Sequence, residues 1–275
     1  MHLLTVTLLF QLSCLLDALQ RPSFQFRADK HRLKLSFIDS NENINLELSQ
    51  GYNSGLGNEN LIYADDDIIV VNKPPHCSTA PGFRETDSLA TRIGHAFHLN
   101  RIDKMIVHRL DYATSGVVVF ARNDQALTDM HKQFRLRKCI YKRYSAIVKG
   151  YLINFEGEIS LPLSKQIDNP PLCCVDSVSG KGSDTSWLLI ARHGGRSHVH
   201  LLPHTGRTHQ LRIHMASIGH PIVGDLFYAP KDVYEESDRL LLHAEELRFI
   251  HPKTKKAVKF IAPCPFSLFD NRIMD

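Results

Sequence analysis

Apolar residues fall in short clusters along this chain, and their spacing alternates between strand-like runs and helical stripes. Ile68-Ile69-Val70-Val71 is a β-branched run closed by Asn72-Lys73-Pro74-Pro75. It reads as a buried strand stopped by prolines. Leu89, Ile93, Ala96 and Phe97 recur at helical spacing behind Thr86-Asp87-Ser88, a capping sequence. Val117 to Phe120 reads as a strand, and Leu127, Met130 and Phe134 then share one helical face behind Asn123. Tyr141 to Val148 reads as a strand ended by Gly150. Trp187 to Ile190 and Ser197 to Leu202 read as a hairpin around Gly194-Gly195. Leu211, Met215 and Ile218 mark a short helix with Gly219 as its stop. Leu240 to Ile250 and Val258 to Ile261 form a last strand pair. Strands outnumber helices and do not alternate with them regularly. The expectation is an α+β fold with a mixed, mostly antiparallel central sheet flanked by helices.

Before Leu61 the pattern is different. Residues 3 to 16 are apolar but broken by Thr5, Thr7, Gln11 and Ser13, and only Met1-His2 precede them. The run is too short and interrupted to span a bilayer, and it lacks the basic n-region of a signal peptide. It reads first as an extension, then as an added strand or helix, then as a targeting segment. Residues 39 to 60 are rich in Asn, Gly and Ser and read as a linker. The division expected is therefore an extension and linker over residues 1–60 and a main folded domain over residues 61–275.

Composition narrows this little. With 275 residues, 43% of them hydrophobic and 23% charged, the chain can bury a sizeable core and is not of disordered or fibrous type. A net charge of +4 permits a polyanionic partner without demanding one. The six cysteines, Cys14, Cys77, Cys139, Cys173, Cys174 and Cys264, form no C-x-x-C pair. They read as reduced thiols, which points to a cytoplasmic protein, or to one in an organelle if the apolar start is a targeting segment.

Four segments put polar residues where a simple fold would not. His108-Arg109-Leu110-Asp111-Tyr112-Ala113-Thr114-Ser115-Gly116 runs straight into an apolar strand. Read alone it is a turn, with Asp111 bonding nearby backbone N–H groups and Gly116 supplying an unusual backbone angle. Gly206-Arg207-Thr208-His209-Gln210-Leu211-Arg212-Ile213-His214 opens a short helix, and Gly219 to Asp225 follows it. Arg212 borders the face of Leu211 and Met215, either as a surface residue or reaching inward to a carboxylate. Lys142 to Gly150, with Phe134, Arg135, Arg137, Lys138 and Tyr141 before it, mixes cations and aromatics. That suits nucleic-acid backbone contact and base stacking, or a solvated helix end. Leu240 to Ala244 reads as buried strand.

Together the segments resemble the RluA family of pseudouridine synthases. His108 to Gly116 match its H-R-L-D-x-x-T-S-G pattern and Gly206 to His214 its G-R-[ST]-H-Q-[LI]-R-[VI]-H pattern. Gly219 to Asp225 match G-H-P-I-x-G-D, and Lys142 to Gly150 match K-x-Y-x-A-x-V-x-G. Val70 to Pro74 and Leu242-His243-Ala244 fit its first and late strand signatures. The resemblance covers roughly residues 61–265. It implies a pseudouridine synthase fold with an RNA-binding cleft, and it carries roles over residue by residue. Asp111 is then the catalytic aspartate and Tyr144 the ring against the target base. Arg212 is the basic residue that pairs with the aspartate, Arg109 the arginine that enters the RNA stack, and Leu242 a contact to the target base. Residues 1–60 do not look like the S4-type RNA-binding domain of many relatives, so the chain is similar to the short, single-domain members.

The implied reaction breaks an N-glycosidic bond, turns the uracil and rejoins it through carbon. It is an isomerisation, so no cofactor is expected. It needs an ionised carboxylate, and an arginine beside Asp111 would keep it charged in a closed pocket. The expected partner is RNA, a stem-loop of ribosomal or transfer RNA, with a monomeric protein and no membrane. Two rivals stand beside this reading. One is a binding module that kept the cleft and lost catalysis. The other is a metal-dependent hydrolase suggested by His193, His198, His200, His204, His209 and His214, although they lack a recognisable third-ligand spacing and no H-E-x-x-H helix occurs. No metal site is expected.

Overall fold

A computed structural model of the protein describes residues 60–82, 87–101 and 104–268. The apolar run near the N-terminus, the linker and the expected domain boundary lie outside the described residues. Strand β1 (Leu61–Ala64) and β2 (Ile68–Lys73) form an antiparallel pair, and β2 pairs antiparallel with β3 (Ser115–Ala121). Between them lies helix α1 (Leu89–Ala96). Ser88 caps it as expected, in a capping box with Thr91. Helix α2 (Asp124–Leu136) follows β3, with the Asn123 side chain accepting from the Ala126 N–H. Then come β4 (Tyr141–Lys149), β5 (Glu156–Ser160), the small hairpin of β6 (Leu163–Lys165) and β7 (Cys173–Val175), and the long hairpin of β8 (Asp184–His193) and β9 (Arg196–Pro203). Helix α3 (Gln210–Ser217), the short α4 (Lys231–Tyr234), β10 (Leu242–Ile250) and β11 (Ala257–Ile261) complete it.

The main sheet has the order β1-β2-β3-β10-β4-β9-β8-β5, with β11 paired to β10. All its pairs are antiparallel except β3 with β10, which run parallel through His243–Ser115 and Ala244–Gly116. The mixed, mostly antiparallel sheet is as the sequence pattern implies.

Period-two alternation sends alternate residues to opposite faces. Ile69, Val71, Val118 and Phe120 pack under α1 with Leu89 and Ile93. Ile68, Val70, Val117 and Val119 pack under α2 with Ala126 and Met130. In the other half of the sheet Ala146, Val148, Val199 and Leu201 pack with Leu211 and Met215 of α3. Ile218 is not part of the buried α3 stripe: it is 36% exposed, because the helix ends at Ser217 and Gly219 turns the chain at φ +83°.

Gly116 and Gly224, which flank the site's loops, are required by close approach. At Gly116, with φ +116°, a Cβ would stand 2.2 Å from the Ala244 carbonyl oxygen, so only glycine lets β10 draw alongside β3. At Gly224, with φ +76°, a Cβ would stand 1.9 Å from the Arg239 carbonyl oxygen.

Candidate active site

Asp111 lies on the loop entering β3, and that loop is tied down from an unexpected direction. The Thr79 hydroxyl donates to the Leu110 carbonyl at 2.9 Å and accepts from the Leu110 N–H at 3.1 Å. The Cys77 N–H donates to the Tyr112 carbonyl at 3.2 Å. Lys73, fully buried, donates to the carbonyls of Pro74, Cys77 and Tyr112 at 2.9, 2.8 and 3.2 Å. Three carbonyl oxygens satisfy its three N–H groups. Burial nevertheless brings its amine down to about 8, against the opposing influence of Cys77 and Asp111. The residues just after β2 thus clamp the chain on both sides of Asp111. His108 is clamped too. Its Nε2 accepts from the Val119 N–H at 3.1 Å, its ring stacks on Phe134 at 4.8 Å, and burial pulls it down to about 3, so it is neutral.

The turn reading holds for the backbone but not for the carboxylate. The Thr114 N–H donates to the main-chain carbonyl of Asp111 at 3.1 Å. The Asp111 side chain, 29% exposed, faces α3 instead: Arg212 Nη1 is 3.7 Å and His209 Nε2 4.0 Å from the same oxygen, Oδ2.

Arg212 does reach inward, but its main partner is different from the one expected. Its Nε and Nη2 donate to the two oxygens of Asp225 at 2.8 and 2.6 Å, a buried bidentate pair. Only Nη1 is left for Asp111. Burial pulls the guanidinium down, but the hydrogen bonds and charge of Asp225, with Asp111 behind them, overcome it and raise its proton affinity. Asp225 Oδ1 also accepts from the N–H groups of Phe227 at 2.9 Å and Tyr228 at 3.2 Å. This folds both rings against Arg212, whose guanidinium carbon is 5.1 and 5.2 Å from their centroids.

The rest of the α3 segment anchors the helix. Gln210 accepts from Thr205 and from the Arg207 N–H, and donates to the Asp184 carbonyl and Thr185. His214, fully buried, bonds Thr185 and Ser183 at 2.9 and 3.0 Å.

Tyr144 comes from β4, paired with Leu201 on one side and Ala244 on the other. It packs against both the cluster under α1 and the cluster under α3, on the seam between them. Burial, and then the Asp111 charge, push its phenol well above its ordinary value, so it stays a neutral phenol. Leu242, 2% exposed, joins the α3-side cluster one step along β10. Arg109 is exposed beside the loop. Of the other residues in the basic and aromatic stretch, Phe134 is occupied by His108, and Tyr141 lies 4.7 Å under the Arg248 guanidinium. Lys142 shares the strand face of Tyr144.

His198 and His200, which suggested a metal, sit edge to face at 6.0 Å. His198 bonds the Ser145 hydroxyl at 2.5 Å, and His200 is 3.4 Å from Glu245. They lie on the face of β4 opposite Tyr144, away from Asp111.

The family model for RNA pseudouridylate synthase matches residues 67–217, which hold every element from β2 to α3. The chain belongs to this family. Its curated relatives include the dual-specificity RNA pseudouridine synthase RluA of Haemophilus influenzae, 42% identical over 209 residues, covering 75% of this chain and 93% of that protein. The Escherichia coli protein of that name is 41% identical over the same shares. Among solved structures, human RNA pseudouridylate synthase domain containing 1 superposes with a TM-score of 0.63 at 29% identity, covering 78% of this chain and 87% of that one. The synthase is an isomerase acting on RNA.

In the sequence Lys73 and Asp225 stood only as letters of a pattern, and His209 as a pattern letter and a candidate metal ligand. A signal existed for Lys73: alternation puts it on the inward face of Ile69 and Val71, where an unpaired ammonium is costly. For Asp225 the signal was a carboxylate following a chain of apolar residues. For Tyr228 there was none.

Proposed function

We propose that the synthase converts specific uridines of a ribosomal or transfer RNA stem-loop to pseudouridine with Asp111 as its catalytic carboxylate, in a catalytic domain of residues 61–275 working as a monomer. The reading is carried by one arrangement. Asp111 Oδ2 faces Arg212 and His209, and no ion pair to Oδ1 is made among the described residues. Relatives named as dual-specificity RNA pseudouridine synthases support action on more than one RNA. The five described cysteines are free thiols, which supports a reducing compartment.

In the reaction the bond from C1′ to N1 of uracil breaks and one from C1′ to C5 forms. The C5 proton leaves, and N1 ends with a proton. Asp111 attacks the sugar, attacks the base, or helps to remove a sugar proton, from a position set by the loop clamp. The uridine must first leave its stack, at a cost of a few kcal/mol. Arg109, exposed beside Asp111, fills the gap and contacts phosphate. Tyr144 offers a ring face to the extruded base, worth about 1–3 kcal/mol, above a floor that includes Leu242. Burial raises the Tyr144 phenol above its ordinary value, so its ring meets the base as a neutral phenol.

The test is pseudouridine mapping of cellular RNA with and without the gene. Loss of discrete sites, restored by the wild type but not by Asp111→Asn, is the expected result. Restoration by Asp111→Asn would remove Asp111 from the chemistry.

A further inference from the structure

His209 occupies a position that packing alone does not explain. It precedes α3 with φ +55°, in the left-handed region that side chains other than glycine adopt at a cost. Its side chain does not cap the helix. It turns instead toward Tyr228 and Asp111, with Nδ1 2.7 Å from the Tyr228 hydroxyl and Nε2 4.0 Å from Asp111 Oδ2.

The hydrogen bonds determine which nitrogen holds the proton. The Tyr228 hydroxyl already accepts from the Cys173 N–H of β7, at 3.0 Å. Its own proton needs an acceptor, and His209 Nδ1 is the partner at hydrogen-bond distance. His209 Nδ1 is therefore bare and Nε2 carries the hydrogen, pointed at a carboxylate oxygen. Burial lowers the proton affinity of this imidazole, with Arg212 acting in the same direction and Asp111 against it. The ring is thus a neutral donor.

We propose that His209 is a positioning residue for Asp111. In the substrate-loaded site its Nε2–H closes on Oδ2 beside Arg212 Nη1, holding one carboxylate oxygen so that the other meets the nucleotide. Catalytic hydrogen bonds are commonly long in an empty site and tighten when substrate is bound. Tyr228 fixes the tautomer, and the Cys173 N–H fixes Tyr228, so the β6–β7 hairpin sets the proton of a group facing the catalytic carboxylate. The inference rests on Asp111 being the reacting carboxylate.

The test uses the full chain and two independent readouts. First, nitrogen-15 NMR of histidine-labelled protein reports the tautomer without any turnover. The Nε2–H form is expected for His209 in the wild type, and loss of its exclusive population in Tyr228→Phe. A wild-type Nδ1–H form would overturn the proposal. Second, tritium release from a 5-tritiated uridine transcript is measured for His209→Leu and His209→Gln. Glutamine places an amide N–H near the lost Nε2. Leucine should lower kcat roughly tenfold to 100-fold with KM for RNA little changed, and glutamine should restore most of it. Leucine kinetics within about twofold of wild type, or glutamine as poor as leucine in a folded protein, would overturn the proposal. A wild type inactive on every transcript, or an Asp111→Asn protein that turns over, would instead remove the reading beneath it.

Discussion

The buried pair of Arg212 and Asp225 is the part of the site whose energetics are most exposed to experiment. Arg212 is 4% and Asp225 1% exposed in the side chain. Asp225→Asn keeps an acceptor for the Phe227 and Tyr228 N–H groups but presents an NH₂ to a guanidinium that cannot reach water. Breaking a buried pair from one side costs about 3–5 kcal/mol, because the surviving charge is uncompensated. Asp111, 3.7 Å from Nη1, offsets part of this, so the lower end, about 3 kcal/mol, is expected. For a domain of this size each kcal/mol moves Tm by about 2–4 °C, so the fall should be roughly 6–12 °C. Thermal unfolding followed by circular dichroism, with a urea titration alongside, measures it. The companion protein carries Arg212→Leu and Asp225→Leu together. An apolar replacement of a buried pair is often neutral, so it should regain most of the stability while turnover stays lost. A single variant melting within about 2 °C of wild type, or a double variant as unstable as the single one, would refute the uncompensated-charge argument.

Three further outcomes follow from the same geometry. Gly116→Ala should force β10 away from β3, since its Cβ would stand 2.2 Å from the Ala244 carbonyl. Hydrogen exchange should rise at Ser115 to Val117 and at His243 to Glu245, with turnover lost; unchanged exchange would contradict the close-approach account. His243 accepts from the Ser115 hydroxyl, donates to the Ala262 carbonyl and is held down to about 4 by burial. Below its ordinary value of about 6.5 the unfolded chain takes a proton that the folded one refuses. Stability should therefore be full above that pH and fall as the pH drops toward 4, by up to about 3 kcal/mol from this residue. His243→Gln should flatten the fall of the urea midpoint between pH 7 and 4.5. Lys142 stands on the Tyr144 face with its amine about 3.8 Å from where a Cβ on Gly206 would lie, and burial followed by the Arg137 charge brings it down to about 8. Lacking a carboxylate partner among the described residues, it suits a phosphate. Lys142→Met should weaken RNA binding and reduce the slope of log affinity against log salt by about 1, measured by filter binding in the Asp111→Asn background.

The strands and helices with strong periodic burial were legible at once, because β2, β3, β4, β9 and β10 each line at least one of the apolar clusters. What escaped was edge structure. In β5 only Ile159 is buried, and β6 and β7 have three residues each, so neither period nor length marked them. The residues brought to the site were largely legible through their patterns, but their pairing was not. Arg212 was expected against Asp111, and the stronger partner proved to be Asp225, because a turn closed by two backbone N–H groups holds that carboxylate nearer. Long-range clamps such as Lys73 on the Tyr112 carbonyl depend on how loops stack, which spacing along the chain does not encode.

The parallel contact between β3 and β10 has a consequence for how the protein is made. Ser115 and His243 are neighbours in space but stand 128 residues apart in the chain. While the polypeptide emerges from a ribosome, β2 and β3 can pair early, yet the free edge of β3 waits for one of the last strands to be synthesised. Pairings of such sequence separation form slowly, and an apolar strand with an open edge is prone to pair with the wrong chain in the interval. Because Gly116 opens that same edge beside the Asp111 loop, the site is among the last parts to acquire its final shape. A truncated chain ending before β10 would hold Asp111, Arg109, Tyr144 and Arg212 and still have no finished site to put them in.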